Sequence, residues 1–364
     1  MDHRIAESVI NVDRRMSYTD VNKIITLKEP EKTEEYKDFV QMFFDMKEVA
    51  DLLRAKRRKR GSIDFDFPET KVILDEQGHP ADIKPYDRNP ATKIIEDFML
   101  AANETVAQDY FWQEIPFVYR THEVPDTEKI KKLSTFINNF GYHIHMGSDE
   151  VHPKELQKLL AKIEDTPVEG LISRLTLRSM KQAKYSVECV GHFGLAAQYY
   201  CHFTSPIRRY PDLQIHRIIK DSLRGRMNEK RMEHYWKILP GVAQQASQLE
   251  RRADEAERET IKMKKVEYME SRIGNEYEGV ISGITNYGLY VELPNTVEGM
   301  VHVTTLRGDY YNYIESTYEM VGENTGKSYK LGQTVKIRVI GTDKLVRRID
   351  FELVDPEKNQ TEEG

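Results

Sequence analysis

The sequence predicts a mixed α and β (α+β) fold over residues 1–272, an all-β barrel of five strands over 273–355 and a short polar tail over 356–364. Two observations support this prediction. Long stretches before residue 272 repeat apolar side chains every three or four positions, which is the period of a helix with one buried face. After residue 273 the pattern changes to five short runs of alternating residues, which is typical of strands that close an OB-type barrel.

Composition limits the functions to consider. The chain has 364 residues, of which 31% are charged, and its formal net charge is −6. A negative net charge does not indicate nucleic-acid binding, so any such site must come from local basic clusters. The two cysteines suggest no disulfide framework, and no apolar run approaches the ~20 residues of a membrane helix. These features favour a soluble, cytoplasmic protein without membrane contact.

Short elements surround the first long helix. Ser8–Val12 alternates like a strand, and Ser17 is placed to cap a short helix that contains Tyr18. Ser62–Lys84 is predicted to form strands around a turn at Gly78.

Thr33–Arg60 is predicted to be a single long helix with one apolar stripe. Six of its last seven residues are basic, which is more than the negative end of a helix dipole requires. Lys56, Arg57 and Arg58 therefore form either a phosphate-facing patch or a solvated helix end.

Asn89–Gln113 is predicted to be the second long helix, because Pro90 suits a first turn and apolar residues follow at helical spacing. Glu96 lies in its first half, and Pro116–His122 follows as a buried strand. Shorter helices are predicted at 126–140, 152–164 and 167–182.

The stretch Gly191–Arg217 contains the densest chemistry of the chain. Two prolines keep its centre, TSPIRRYPD, out of a helix interior, and helical spacing begins after Pro211. Arg208 and Arg209 are thus presented by a loop in front of a helix N-terminus, where guanidinium groups and helix amides can hold phosphate oxygens. The alternative is a surface loop whose arginines pair with nearby acids.

The last helix and the barrel strands complete the chain. Gly241–Ser271 is predicted to be a third long helix, and residues 249–258 are charged on nearly all outer faces, as in a solvent-exposed helix. The five barrel strands are predicted at Glu278–Ile284, Gly288–Leu293, Gly299–Val303, Thr334–Ile340 and Arg348–Leu353.

The run HFTSPIRRYPDL, residues 202–213, resembles the signature of the ribonuclease R and ribonuclease II family, with the ribonuclease R branch the better match. The runs GVISGITNYGLYVEL and GMVHV resemble the S1 RNA-binding domain. The likeness covers nearly the whole chain. It implies a 3′→5′ exoribonuclease that releases nucleoside 5′-monophosphates, uses Mg²⁺ and takes single-stranded or 3′-tailed RNA.

The resemblance also implies roles for individual residues. Arg208 would clamp the scissile phosphate, Tyr18 would lie beside it, and Glu257 would stand at the nucleotide end of the RNA channel; these are the candidate catalytic residues. The candidate RNA-binding residues are Glu96, Phe65, Arg209, His202, Lys56, Arg57, Arg58, Tyr287, Tyr290 and His302.

Members of the family also bind magnesium through a cluster of aspartates, arranged D…DxDD. This cluster comes before the segment that corresponds to the residues around Tyr18. Metal-assisted hydrolysis needs such carboxylates to activate water and stabilise the leaving oxygen. The sequence lacks this spacing, so no metal ligand is assigned. We therefore expect a C-terminal part of a ribonuclease R that is inactive alone, with a missing N-terminal segment as a candidate partner. The alternatives are a non-catalytic RNA-binding protein and one half of a split ribonuclease.

Overall fold

The protein consists of a helix-rich first part and a barrel-containing second part. The structure, a computed structural model, describes residues 3–64, 69–86, 88–147, 150–166, 168–315 and 317–354. The helices are α1 Tyr18–Asn22, α2 Pro30–Glu35, α3 Lys37–Arg60, α4 Pro90–Trp112, α5 Thr127–Asn138, α6 Pro153–Ile163, α7 Glu169–Ser179, α8 Tyr210–Leu223 and α9 Glu229–Glu270. The strands are β1 Thr70–Leu74, β2 Pro80–Pro85, β3 Tyr119–Thr121, β4 Lys184–Ser186, β5 Glu276–Thr285, β6 Gly288–Glu292, β7 Glu298–His302, β8 Tyr311–Ile314, β9 Glu319–Gly322, β10 Ser328–Lys330, β11 Thr334–Asp343 and β12 Arg348–Leu353.

The N-terminal part differs from its prediction in two elements. The predicted single helix Thr33–Arg60 is divided at Tyr36 into α2 and α3. Ser8–Val12 is not a strand: its apolar side chains are exposed, Val9 fully so, and no strand pairs with it among the residues described. An extended segment gains stability only from a neighbouring ladder and a buried face, and this one has neither. The cap at Ser17 is confirmed, since its Oγ accepts a hydrogen bond from the Asp20 amide at 3.0 Å.

The five predicted barrel strands form a closed barrel in the order β11-β12-β7-β6-β5, in which only β12 and β7 run parallel. Gly288 begins β6 with φ +148°, and a Cβ there would lie 2.1 Å from the Val301 carbonyl oxygen, so only glycine fits. Strands β8, β9 and β10 form a separate antiparallel sheet inserted between β7 and β11, which the sequence did not predict.

The hydrophobic core of the barrel crosses the boundary predicted at residue 272. Ile83 of β2 and Val266 and Met269 of α9 pack into the same cluster as barrel residues such as Phe351, and each is at most 2% exposed. The single helix α9, 42 residues and about 63 Å long, therefore joins the helix-rich part to the barrel and contributes to the core of each. Within the described ranges, none of the helices combines the length and apolar character needed to cross a bilayer.

Candidate nucleic-acid interface

The loop before α8 holds Arg208 in a fixed position at the surface. The Ser205 amide donates a hydrogen bond to Asp212 Oδ1 at 2.8 Å, and the amides of Arg208 and Arg209 both donate to the Ser205 carbonyl, at 3.3 and 3.1 Å. The Arg208 side chain is exposed and has no hydrogen-bond or ion-pair partner in the part of the chain that the structure describes. Its guanidinium is therefore available to an anion that approaches the loop.

Arg209, by contrast, belongs to the loop itself. Its Nε and Nη2 donate to the two carboxylate oxygens of Asp212 at 2.9 and 2.7 Å, and the Asp212 side chain is completely buried. Moving Arg209 away from Asp212 would leave a buried carboxylate without its partner and would destabilise the loop. The structure thus shows Arg209 in the acid-paired arrangement given as the alternative, and its contact with RNA stays a prediction. The sequence did contain a signal for this pair, because Asp212 lies three residues after Arg209 in the first helical turn.

The start of the loop is anchored to α4 and α8. Asn103 of α4 accepts a hydrogen bond from the Phe203 amide through Oδ1 at 2.9 Å and donates from Nδ2 to the Tyr200 hydroxyl at 3.2 Å. His216 of α8 contacts the Phe203 carbonyl through Nε2 at 2.9 Å, and the two rings stack 4.4 Å apart. Asn103 was not among the predicted site residues; the signal in the sequence was an asparagine among the apolar residues of the helix, and the structure shows that it is buried.

His202 is partly buried beside the loop. Its Nδ1 is 2.9 Å from the Tyr185 hydroxyl, and its ring packs edge-on against the rings of Tyr185 and Tyr200. Burial, helped by the nearby charge of Arg209, lowers the pKa of His202 to about 2. The imidazole is therefore neutral at physiological pH and offers no charge to a phosphate. His202 thus packs against Tyr185 and Tyr200, and its contact with RNA stays a prediction.

The basic end of α3 divides into buried and exposed residues. Arg57 is only 7% exposed, and its Nη2 donates to Asp97 of α4 at 2.5 Å, beside a second bond from Arg54 at 2.6 Å. The charge of Arg57 therefore joins two helices, and its predicted contact with RNA stays a prediction. Lys56 and Arg58 are exposed, as a phosphate-facing patch requires, and the Arg58 Nε lies 3.7 Å from the Asp64 carboxylate.

The other candidates of the helix-rich part lie on three helices. Tyr18 begins α1, which packs against α4, and is 46% exposed. Glu96 lies in α4 and accepts a hydrogen bond from Arg88 at 2.8 Å. Glu257 lies in a stretch of α9, residues 251–258, where every residue is exposed. Phe65 is outside the described residues.

The three barrel candidates lie outside its core. Tyr287, in the β5–β6 turn, is 69% exposed. Tyr290 pairs with Met300 and His302 pairs with Gly288, so strand alternation places both side chains on the outer face. The Tyr290 ring lies over Gly283, and His302 Nδ1 is held 2.7 Å from the Thr304 hydroxyl. Rings arranged in this way can stack on successive bases.

Comparison with known proteins agrees with this arrangement. Residues 1–225 match the model of the RNB domain, and residues 270–353 match that of the S1 RNA binding domain. The chain belongs to the RNB family. It is 43% identical to Ribonuclease R 1 of Lactococcus lactis, over 98% of this chain and 44% of the relative, and 44% identical to Ribonuclease R of Thermotoga maritima, over 96% and 49%. The chain thus spans about half the length of these relatives.

A solved structure shows the same fold. Mycoplasma genitalium RNase R, in complex with ribose methylated single-stranded RNA, superposes with a TM-score of 0.83 at 28% identity. The match covers 93% of this chain and 53% of that chain. The predicted fold class, a helix and strand portion followed by a five-stranded barrel, is therefore confirmed.

The magnesium that the family resemblance implies does not fit the residues described. Among them, no group of three or more His, Cys, Asp or Glu side chains could hold a metal ion. Mg²⁺ requires oxygen ligands converging in near-octahedral geometry. Glu96 is bound to Arg88, and Glu257 stands on a different helix. The described residues therefore support no chemical step that passes through a metal.

Proposed function

We propose that this chain is the RNA-binding part of a 3′→5′ exoribonuclease of the ribonuclease R type. Such an enzyme hydrolyses RNA to nucleoside 5′-monophosphates in RNA turnover. The observation that supports this most directly is the exposed guanidinium of Arg208 on a loop fixed by Asp212 and Asn103. The loop backbone is fixed before a ligand arrives, so little backbone freedom is lost on binding, and the exposed guanidinium can stabilise charge on a phosphate.

In this proposal each candidate residue acts on one part of the RNA. Arg208 holds the scissile phosphate, Tyr18 orients the last nucleotide, and Glu96 and Glu257 fix its sugar and base from α4 and α9. The complex of the Mycoplasma RNase R with single-stranded RNA supports the substrate class.

The outward-facing rings of the barrel hold RNA further from the 3′ end. Stacking on Tyr287, Tyr290 and His302 contributes ~1–3 kcal/mol per base and tolerates any sequence. Lys56 and Arg58 add phosphate contacts at the end of α3. Single-stranded or 3′-tailed RNA is thus the proposed partner, and a reducing cytoplasm suits the two free cysteines.

Magnesium remains the proposed cofactor of the hydrolysis. Because the described residues do not fit it, we assign hydrolysis to this chain only together with metal-binding carboxylates that those residues do not supply. The same observation favours a second function, RNA binding without catalysis.

The test compares RNA binding with release of 5′-monophosphates. The 364-residue chain is incubated with labelled single-stranded RNA and Mg²⁺, alone and together with the segment that carries the aspartates in a relative. We expect binding by the chain alone, negligible release, and release when the carboxylates are supplied. Release that never appears would favour the non-catalytic function, whereas robust release by the chain alone would show that a metal site has been overlooked.

Arg208→Ala should separate chemistry from binding in the active combination. The loss of an arginine that stabilises a phosphoryl transition state costs ~10³–10⁵ in rate in other phosphoryl-transfer enzymes, whereas one phosphate contact changes affinity modestly. Arg208→Lys should restore only part of the rate, because a lysine cannot reproduce the planar fork. If both variants released 5′-monophosphates at the parental rate, Arg208 would have only a structural role in the loop.

A further inference from the structure

Three aromatic side chains form an exposed cluster that the proposed RNA site does not use. Phe111 and Trp112 end α4, and Tyr199 lies in the segment before the Arg208 loop. The ring centroids of Phe111 are 4.7 Å from Tyr199 and 5.6 Å from Trp112, and those of Trp112 and Tyr199 are 6.2 Å apart. Trp112 is 68% exposed and Phe111 is 37% exposed. We call these three residues the aromatic cluster.

The aromatic cluster is rigidly supported and distant from the nucleotide end of the site. Phe111 contacts the ring of Tyr119, which is 5% exposed and part of the core beneath it. Trp112 lies 16 residues after Glu96 on the same helix, which places them about 24 Å apart along its axis. Exposed rings on a rigid base are typical of a surface that binds a partner, because few side chains need to be ordered on binding.

The charge around the aromatic cluster indicates what the partner carries. The two segments that present the rings, residues 101–119 and 185–203, contain no lysine or arginine. They carry the exposed carboxylates of Glu114 and Glu188, together with Asp109, which lies 3.5 Å from His3. These acids would repel the phosphates of RNA and attract cationic side chains.

We propose that the aromatic cluster is a docking surface for a basic, extended segment of a partner protein. Arginine or lysine side chains of that segment stack on the ring of Trp112 and pair with Glu114 and Glu188. Tryptophan and tyrosine dominate the binding energy of many interfaces, and a cation over an indole ring is the strongest arrangement of its kind. Single-stranded RNA could also stack on such rings, but the acidic surroundings oppose it.

Trp112 itself supplies the reporter for a test. The chain has two tryptophans, so Trp236→Phe leaves Trp112 as the sole source of tryptophan emission. This variant of the full chain is titrated with a short peptide of alternating arginine and alanine, with an acidic peptide of equal length and with a short single-stranded RNA. We expect a saturable change in emission with the basic peptide alone, weakened by added salt.

A pair of charge-matched variants separates docking from general attraction to a negative protein. In the Trp236→Phe background, Glu114→Gln with Glu188→Gln should weaken the peptide about five-fold, whereas Glu128→Gln with Glu255→Gln, on the exposed faces of α5 and α9, should leave its affinity unchanged. Equal weakening in both pairs, a response to RNA in place of the peptide, or no saturable change would each overturn the proposal. None of these outcomes depends on nuclease activity.

Discussion

Asp212→Asn tests whether the Arg208 loop depends on one buried carboxylate. Asp212 accepts three hydrogen bonds, one from the Ser205 amide and two from the guanidinium of Arg209, and its side chain is completely buried. Asparagine has nearly the same size and keeps one oxygen, which suffices for Ser205. That oxygen, Oδ1, also still accepts from Arg209 Nη2, but the amide nitrogen that replaces Oδ2 faces Arg209 Nε with a donor in place of a charged acceptor.

The expected loss follows from these contacts. Hydrogen bonds to charged groups contribute ~1.5–3 kcal/mol, and removing one partner of a buried ion pair costs ~3–5 kcal/mol. The Arg209 side chain is 19% exposed, so water compensates part of the loss. We expect Asp212→Asn to lower the free energy of unfolding by about 2–4 kcal/mol. Glu255→Gln, which breaks an exposed pair with Arg258, should cost no more than ~1 kcal/mol.

Two measurements check this reasoning. Urea denaturation at neutral pH gives the unfolding free energies of Asp212→Asn and Glu255→Gln. The salt dependence of single-stranded RNA binding compares Arg208→Ala with Arg209→Ala, and the slope should fall by about 0.7 for Arg208 and hardly change for Arg209. Equal stability losses in the two acid variants, or equal slopes in the two arginine variants, would refute the assignment of Arg209 to the loop.

Three further predictions concern other parts of the molecule. Burial lowers the pKa of His192 to about 3 and that of His202 to about 2, so both are neutral when folded but take up a proton when unfolded below about pH 6.5. The free energy of unfolding is therefore highest above pH 6.5 and falls as the pH drops towards 3, by up to about 1.4 kcal/mol per pH unit for each histidine. Denaturation at pH 7 and at pH 5 measures this loss, and replacing either histidine with asparagine should make the free energy of unfolding depend less on pH. Tyr287→Ala and Tyr290→Ala should each weaken single-stranded RNA binding by ~1–3 kcal/mol in anisotropy titrations without changing the salt slope, and a changed slope would mean that they contact phosphate indirectly. Ile83→Ala should destabilise the barrel by ~2–5 kcal/mol, although Ile83 lies outside the barrel strands, because its side chain packs into the barrel core. If a protease cleaved β12 no faster in this variant than in the parent protein, the shared core would be contradicted.

The sequence alone determined the local features of this protein. Ser17 as a cap, Pro90 in the first turn of α4 and the alternation of the five barrel strands depend on neighbouring residues only, so their patterns predicted the elements closely. The prolines on either side of Arg208 likewise predicted a loop in front of a helix. The resemblance to the family rested on the same continuous run of residues.

Packing between distant parts of the chain sets which charged and apolar groups are free. Arg57 and Arg58 are adjacent in sequence, yet the helical rotation of about 100° per residue turns Arg57 towards Asp97, 40 residues away, and leaves Arg58 exposed. Ser8–Val12 has the pattern of a strand but no partner in the described residues, and Ile83 joins a core that is built mainly by residues about 200 to 270 positions later. Pairing and burial depend on which distant residues pack together, and a local sequence pattern does not predict those contacts.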